Sequence, residues 1–277
     1  MKIGTRESRL ALIQTEMFIS RLGGNHELVK IKSAGDMDRE NPLRDIGGQG
    51  LFVNEINKNV LKGNIDCAVH SGKDLPSSID ENLEIVSVFD WTNYHDVILL
   101  NENSVESGEK KIGTSSPRRE NQIKKYMPDC RALNLRGNID TRLKRLDSGD
   151  FDGIILSEAA VKRMYPMREY GILPENVFVP APCQGIIAVV ARKDSPHIQQ
   201  IKGTEEPMAR KRWDMERCVS RIFDMGCSVP NGIFYNPENE MLYIDINGED
   251  QTFTTQKRIR SMEDGETLAM QIKEILN

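Results

Sequence analysis

Lys2-Ile-Gly-Thr-Arg6 recurs further along the chain as Lys111-Ile-Gly-Thr-Ser115. In both places a short apolar strand runs into a Gly-Thr turn, and a helical pattern follows. After the first copy, Leu10, Ile13, Met17 and Ile19 mark an apolar helix face. After the second, Ser116-Pro117 places a capping side chain before a proline at the first helical position. A second echo lies downstream: Asp66-Cys-Ala-Val-His-Ser71 is matched by Asp152-Gly-Ile-Ile-Leu-Ser157. Each is an apolar strand that ends in serine, where a loop should begin. Strands alternate with helices throughout, which predicts α/β units with mainly parallel sheets. The simplest architecture is two similar α/β domains around a cleft, lined by helix N-termini and strand C-terminal ends.

The C-terminal stretch reads differently. Arg210 to Phe223 is a charged helical pattern, and Gly226-Cys-Ser-Val-Pro-Asn-Gly232 is a tight loop. Ile233–Tyr235, Met241–Ile246 and Thr252–Thr254 read as strands joined by Asn/Gly turns, and Leu268 to Leu276 as a closing helix. This predicts a small third α+β domain with an antiparallel sheet. The expected division is 1–91 with 186–203, then 92–185, then 204–277.

The chain has 277 residues, 38% hydrophobic and 29% charged. That composition excludes collagen-like, disordered and membrane-spanning classes. The longest apolar stretch, Gly185 to Ala191, is far short of the roughly 18 residues of a membrane helix. Met1-Lys2 leads straight into a strand pattern, so no signal peptide is expected and the location expected is cytoplasmic. Five cysteines, without a CxxC pair, and four scattered histidines predict neither a disulfide framework nor a metal site. Cys67 sits in an apolar run and reads as core.

The net charge of −5 hides a local excess. Between Lys110 and Arg145, eleven basic residues face three acidic ones, a local +8 that leaves −13 for the remainder. Such a focused field suits a polyanion, either nucleic acid or a small molecule with several carboxylates. Tyr126 is the one aromatic in this segment, so the stacking platforms of a nucleic-acid site are missing.

Arg118 and Arg119 fall in the first turn of a helix, where the macrodipole favours anions. Cations there make sense if a bound anion shares the site with backbone N–H groups. Arg136-Gly-Asn138 follows another strand, Arg142 lies one helical turn on, and Arg6 and Ser8 occupy the equivalent start in the first half. Arginine grips carboxylates by a bidentate fork. His70-Ser-Gly-Lys-Asp-Leu-Pro76 ends an apolar strand and would set Asp74 amid this field. A carboxylate there could orient an N–H donor, stabilise a cation or move a proton. Cys227 lies in a loop and could serve as a covalent attachment point. Gly47-Gly-Gln-Gly50 reads as a lid or hinge before a helix.

Taken together, these stretches resemble the porphobilinogen deaminase family of tetrapyrrole biosynthesis. The matching motifs are Thr5-Arg-Glu-Ser8, Gly47-Gly-Gln-Gly-Leu-Phe52, Ala68-Val-His-Ser-Gly-Lys-Asp-Leu-Pro76, Gly113-Thr-Ser-Ser-Pro-Arg-Arg119 and Leu135-Arg-Gly-Asn138. Asp152-Gly-Ile-Ile-Leu156, Pro180-Ala-Pro-Cys-Gln-Gly185 and Gly226-Cys-Ser-Val-Pro230 complete the set. The resemblance implies an α/β fold of three domains: two resembling periplasmic binding proteins around a cleft, plus a small α+β C-terminal domain. It implies a transferase that adds four porphobilinogen units to a dipyrromethane cofactor and releases hydroxymethylbilane with water.

Roles follow from the same resemblance. Cys227 would carry the cofactor through a thioether. Asp74, with Lys73 and Arg6, would be catalytic, Asp74 stabilising the cation formed as ammonia leaves. Ser71, Lys73, Asp74, Thr114, Ser115, Ser116, Arg118, Arg119, Arg136 and Gly137 would contact the cofactor. Arg6, Ser8, Arg136, Arg142, Arg163 and Gln184 would bind substrate carboxylates. A monomer with no nucleic-acid or membrane partner is implied. The chain departs from the family pattern at Gln49, Asn54, Gly72, Cys183 and Met225-Gly-Cys-Ser228. The rival reading is a non-catalytic anion-binding module of the two-domain solute-binding type, which explains the echo and the arginines but not Asp74 and Cys227 together.

Overall fold

A computed structural model describes residues 1–32, 53–102, 108–223, 231–247 and 252–276. The Gly47–Gly50 loop and the Gly226–Pro230 loop with Cys227 lie outside the described residues. The chain forms two compact units: Met1–Thr92 with Pro182–Ser228, and Asn93–Ala181 with Val229–Asn277.

The first unit is built on a five-stranded sheet. Its strands are β1 (Lys2–Arg6), β2 (Glu27–Ile31), β3 (Cys67–Ser71), β4 (Leu83–Phe89) and β10 (Ile187–Arg192), in the order β2-β1-β3-β10-β4. β1 runs parallel to β2 and β3, while β10 runs antiparallel to β3 and β4. The sheet is therefore mixed rather than mainly parallel, because the chain returns from the second unit to insert β10. Alternate residues of β10 feed two different cores. Ile187, Val189 and Ala191 join Ile3 and Phe18, and Ala188 and Val190 join Ile56, Val60 and Trp213. Burial on both faces explains the unbroken apolar run at this strand.

Helices α1 (Arg9–Leu22), α2 (Asn54–Leu61), α6 (Ile198–Lys202) and α7 (Pro207–Ile222) complete the first unit. Ser8 caps α1 by accepting from the Ala11 amide. The fully buried residues of α1 are Gln14, Thr15 and Phe18, with Met17 and Ile19 only partly buried. The stripe is displaced from the expected one because Phe18 stacks on Phe89 and Gln14 bonds Ser71.

The second unit repeats the plan. Its strands are β5 (Asp96–Leu100), β6 (Lys110–Thr114), β7 (Cys130–Asn134), β8 (Gly153–Ser157) and β9 (Gly171–Leu173), in the order β7-β6-β8-β5-β9. β6 is parallel to β7 and β8, and β5 is antiparallel to β8 and β9. The helices are α3 (Pro117–Tyr126), α4 (Ile139–Asp147) and α5 (Glu158–Met164). The sequence echo extends to individual hydrogen bonds. The Lys2 amide donates to Asp66 Oδ2 at 2.6 Å and the Lys111 amide to Asp152 Oδ2 at 2.7 Å. Each aspartate amide returns a bond of 2.9 Å to the carbonyl of that same lysine.

β11 (Gly232–Asn236), β12 (Met241–Asn247) and β13 (Thr252–Arg258) form a separate antiparallel sheet, followed by α8 (Met262–Leu276). Phe234 and Tyr243 pack on Val179 in the second unit, and the Ile233 amide donates to Pro180 O. α7 belongs to the first unit instead, where fully buried Arg212 pairs with Glu216 and donates to Trp91 O and Gln184 O. The stretch grouped from sequence as 204–277 is thus shared between the two units. No helix among the described residues is long and apolar enough to cross a membrane.

Candidate active site

In the first unit the chemistry-bearing residues gather at strand ends. Arg6 ends β1, Ser71 ends β3, and a single 3₁₀ turn, Gly72–Asp74, follows at once. The Gln14 amide group donates to Ser71 Oγ at 2.9 Å, tying α1 to this corner. His70, one residue before Ser71, is buried and hydrogen-bonded to Asn57 Oδ1. Burial, with the Arg6 charge adding to it, pushes His70 down to about 3. His70 is therefore a neutral spacer and no proton donor at physiological pH. Asp74 is half-buried and makes no hydrogen bond or ion pair with any described residue. Lys73 beside it is half-buried as well. Gln184 is buried, and its carbonyl accepts from Arg212 at 2.8 Å.

In the second unit the cationic residues are held at the ends of β6 and β7 and the starts of α3 and α4. Ser116 caps α3, accepting from the Arg119 amide, and the Thr114 hydroxyl accepts from the Ser116 amide at 3.2 Å. Asn138 caps α4 through the Thr141 amide at 2.8 Å. Gly137, at φ +106°, makes the turn between strand and helix; a Cβ there would meet Thr141 Cγ2 at 2.9 Å. Arg163 lies half-buried in the last turn of α5.

The two arginines of the first turn of α3 point inward. Arg118 and Arg119 are only 4% and 6% exposed. Both grip Asp96, fully buried at the start of β5. Arg118 Nη1 reaches Oδ2 at 2.6 Å, and Arg119 Nη2 and Nε reach Oδ1 at 2.7 and 3.1 Å. Arg118 also donates to Val179 O and Gln122 Oε1, and Arg119 to Ile155 O. Burial alone would raise the Asp96 carboxyl, but the two guanidinium groups outweigh it and hold it well below the ordinary range. The unfavourable helix position is thus tolerated through a buried counter-ion. Asp96 is not legible in the sequence, because nothing in Tyr94-His95-Asp96 shows that the start of β5 meets the arginines of α3.

Arg142 differs. Its Nε donates to Gly137 O at 2.8 Å and its Nη2 to Ser115 Oγ at 3.2 Å, and no described carboxylate pairs with it. Burial, reinforced by the like charges of Arg119 and Arg136, lowers its pKa to about 10. It still carries its charge at neutral pH. Arg118 and Arg119 thus share the Asp96 carboxylate, while Arg142 is left with neutral acceptors among the described residues. A charged guanidinium with neutral acceptors suits an anionic group such as a carboxylate.

A second cluster lies at the start of β5. His95 is 19% exposed, stacks on Tyr94, and bridges Glu158 (3.0 Å) and Glu175 (3.3 Å).

Fold and site together define an α/β protein whose second unit gathers arginines at the starts of α3 and α4. Residues 1–200 match the family model described as "Porphobilinogen deaminase, dipyromethane cofactor binding domain". A Picrophilus torridus protein described as "Probable porphobilinogen deaminase" is 44% identical, the alignment covering 84% of each chain. The "Porphobilinogen deaminase" of Acetivibrio thermocellus is 35% identical over 98% of this chain and 97% of that protein. Among solved structures, a substrate-binding domain of a putative amino acid ABC transporter from Streptococcus pneumoniae is 9% identical at a TM-score of 0.44, covering 73% of this chain and 90% of that one. The chain belongs to the porphobilinogen deaminase family. It is a transferase of tetrapyrrole biosynthesis, and its first 200 residues are the dipyrromethane-binding part.

Proposed function

We propose that the chain is a hydroxymethylbilane synthase, condensing four porphobilinogen molecules with loss of ammonia and releasing the linear product with water. The observation that carries this reading is Arg142, charged and half-buried near the charges of Arg119 and Arg136, with only neutral acceptors among the described residues. When bound, dipyrromethane supplies the nucleophilic carbon from which the product grows. Cys227 would hold it by a thioether. Ser115, Arg136 and Arg142 would take its carboxylates, while Arg118 and Arg119 keep that corner positive and rigid. Thr114, Ser116 and Gly137 would shape the same corner.

Arg6, Ser8, Lys73 and Gln184 would bind substrate, Ser71 would contact the cofactor, and Arg163 would serve substrate carboxylates. Asp74 would do the chemistry. A carboxylate with no partner among the described residues can accept a pyrrole N–H and offset the positive charge that develops as ammonia departs. The separate sheet β11–β13 with α8 supports a small C-terminal module that begins after α7.

The test is ammonia release and hydroxymethylbilane formation from porphobilinogen. Asp74→Asn should lower turnover roughly 10²-fold or more while leaving KM little changed. Near-normal turnover by that variant sinks the role given to Asp74. Porphobilinogen retained unchanged by the wild-type chain would overturn the function itself.

A further inference from the structure

Asp74 has no hydrogen-bonding partner among the described residues, so its direction is set by the backbone of its own turn. That turn is gripped from three sides. At its entry, the Gly72 amide donates to Ile186 O at 2.8 Å. Beneath it lies the indole of Trp213 on α7, only 3% exposed. A Cβ on residue 72 would sit 2.7 Å from Trp213 Cζ3 and 3.1 Å from the carbonyl oxygens of Cys183 and Ile186. Gly72 is therefore the residue type that lets the turn settle onto the ring. At its exit, Arg217 Nη1 donates to Leu75 O at 3.0 Å, and Nη2 donates to Pro76 O. Arg217 follows Trp213 by one helical turn, with its guanidinium carbon 5.3 Å from that ring's centroid. The guanidinium fork thus clasps two successive carbonyls and lies over the ring that fills the space below Gly72.

We propose that Arg217, seated on Trp213, is a positioning residue for Asp74: α7 fixes the Gly72–Asp74 turn and so aims the carboxylate. This rests on the reading of Asp74 as the charge-stabilising group. Neither Arg217 nor Trp213 touches substrate in this proposal. They act through the backbone on either side of Asp74. A carboxylate displaced by about an ångström loses much of its effect on a developing charge, on the order of 10²-fold.

The experiment compares Arg217→Leu, Arg217→Lys, Asp74→Asn and the double variant Asp74→Asn with Arg217→Leu, all as cofactor-loaded enzyme. Arg217→Leu should lower kcat about 10- to 100-fold with KM within about twofold. Arg217→Lys keeps the charge and one donor direction, and should recover part of the loss. In the Asp74→Asn background, Arg217→Leu should cost little more, because the group it aims is already gone. Amide exchange of Leu75, whose N–H closes the turn onto Gly72 O at 3.2 Å, should quicken in Arg217→Leu. If Arg217→Leu does not fold, Arg217→Lys and Trp213→Phe carry the same comparison. An unchanged kcat per folded molecule, or losses that multiply fully in the double variant, overturns the positioning role. A fully active Asp74→Asn overturns the Asp74 reading itself, and the proposal with it.

Discussion

At the scale of single residues, His95 shows how neighbours decide a charge. Burial alone would lower its pKa, yet hydrogen bonds and charges from Glu158 and Glu175 outweigh this and raise it to about 9. Both carboxyls are in turn held below their ordinary value. A histidine raised above its unfolded pKa, ordinarily about 6.5, stabilises the fold fully below that value. The contribution is lost as pH rises through about 9. His95→Gln should therefore be less stable than wild type at pH 7, and the gap should close between roughly pH 8 and 10. Urea unfolding across that range checks it, and a gap independent of pH would falsify the link. Lys162, 2.8 Å from Glu158, remains in both proteins, so the difference isolates the histidine.

At the scale of elements, the junction of β5 with α3 holds the second unit's charge arrangement. Removing one partner of a buried ion pair costs about 3–5 kcal/mol, since it leaves an uncompensated charge. Asp96→Asn strands two guanidinium groups, so a loss of this order is expected, read as a lower denaturation midpoint. A loss below about 1 kcal/mol would show that the arginines find other acceptors. The element scale also explains the first turn of α3. Its helix-terminus arginines look misplaced in one dimension, and Asp96 becomes visible as their partner only when β5 is laid beside α3 in three.

At the scale of the whole molecule, the proposed covalent cofactor has a direct mass signature. Purified wild-type protein should exceed its 31.4 kDa sequence mass by two linked pyrrole units, mapped to the peptide containing Cys227. Cys227→Ser should lack the adduct and retain the fold by circular dichroism. An adduct that persists in that variant places the attachment elsewhere. A bare mass that stays bare after incubation with porphobilinogen removes the covalent route.

The two-fold α/β plan is legible in the residues alone. Short repeated motifs encode local geometry, and Lys2 with Asp66 and Lys111 with Asp152 make the same bonds because the same residue types recur at matched positions. The cap at Ser116 is legible there too, since it needs only a side chain within three residues of the amide it accepts from, and Ser8 and Asn138 cap their helices in the same way. Sequence motifs pointed to the family as well, and the comparisons bear that out. The pairing of Arg118 and Arg119 with Asp96, and of Arg217 with the carbonyls after Asp74, emerges only in three dimensions. Asp96 lies 22 and 23 positions before Arg118 and Arg119, and Arg217 lies 142 positions after Leu75. Pairings across such separations are set by strand order and helix packing, and no local periodicity records them.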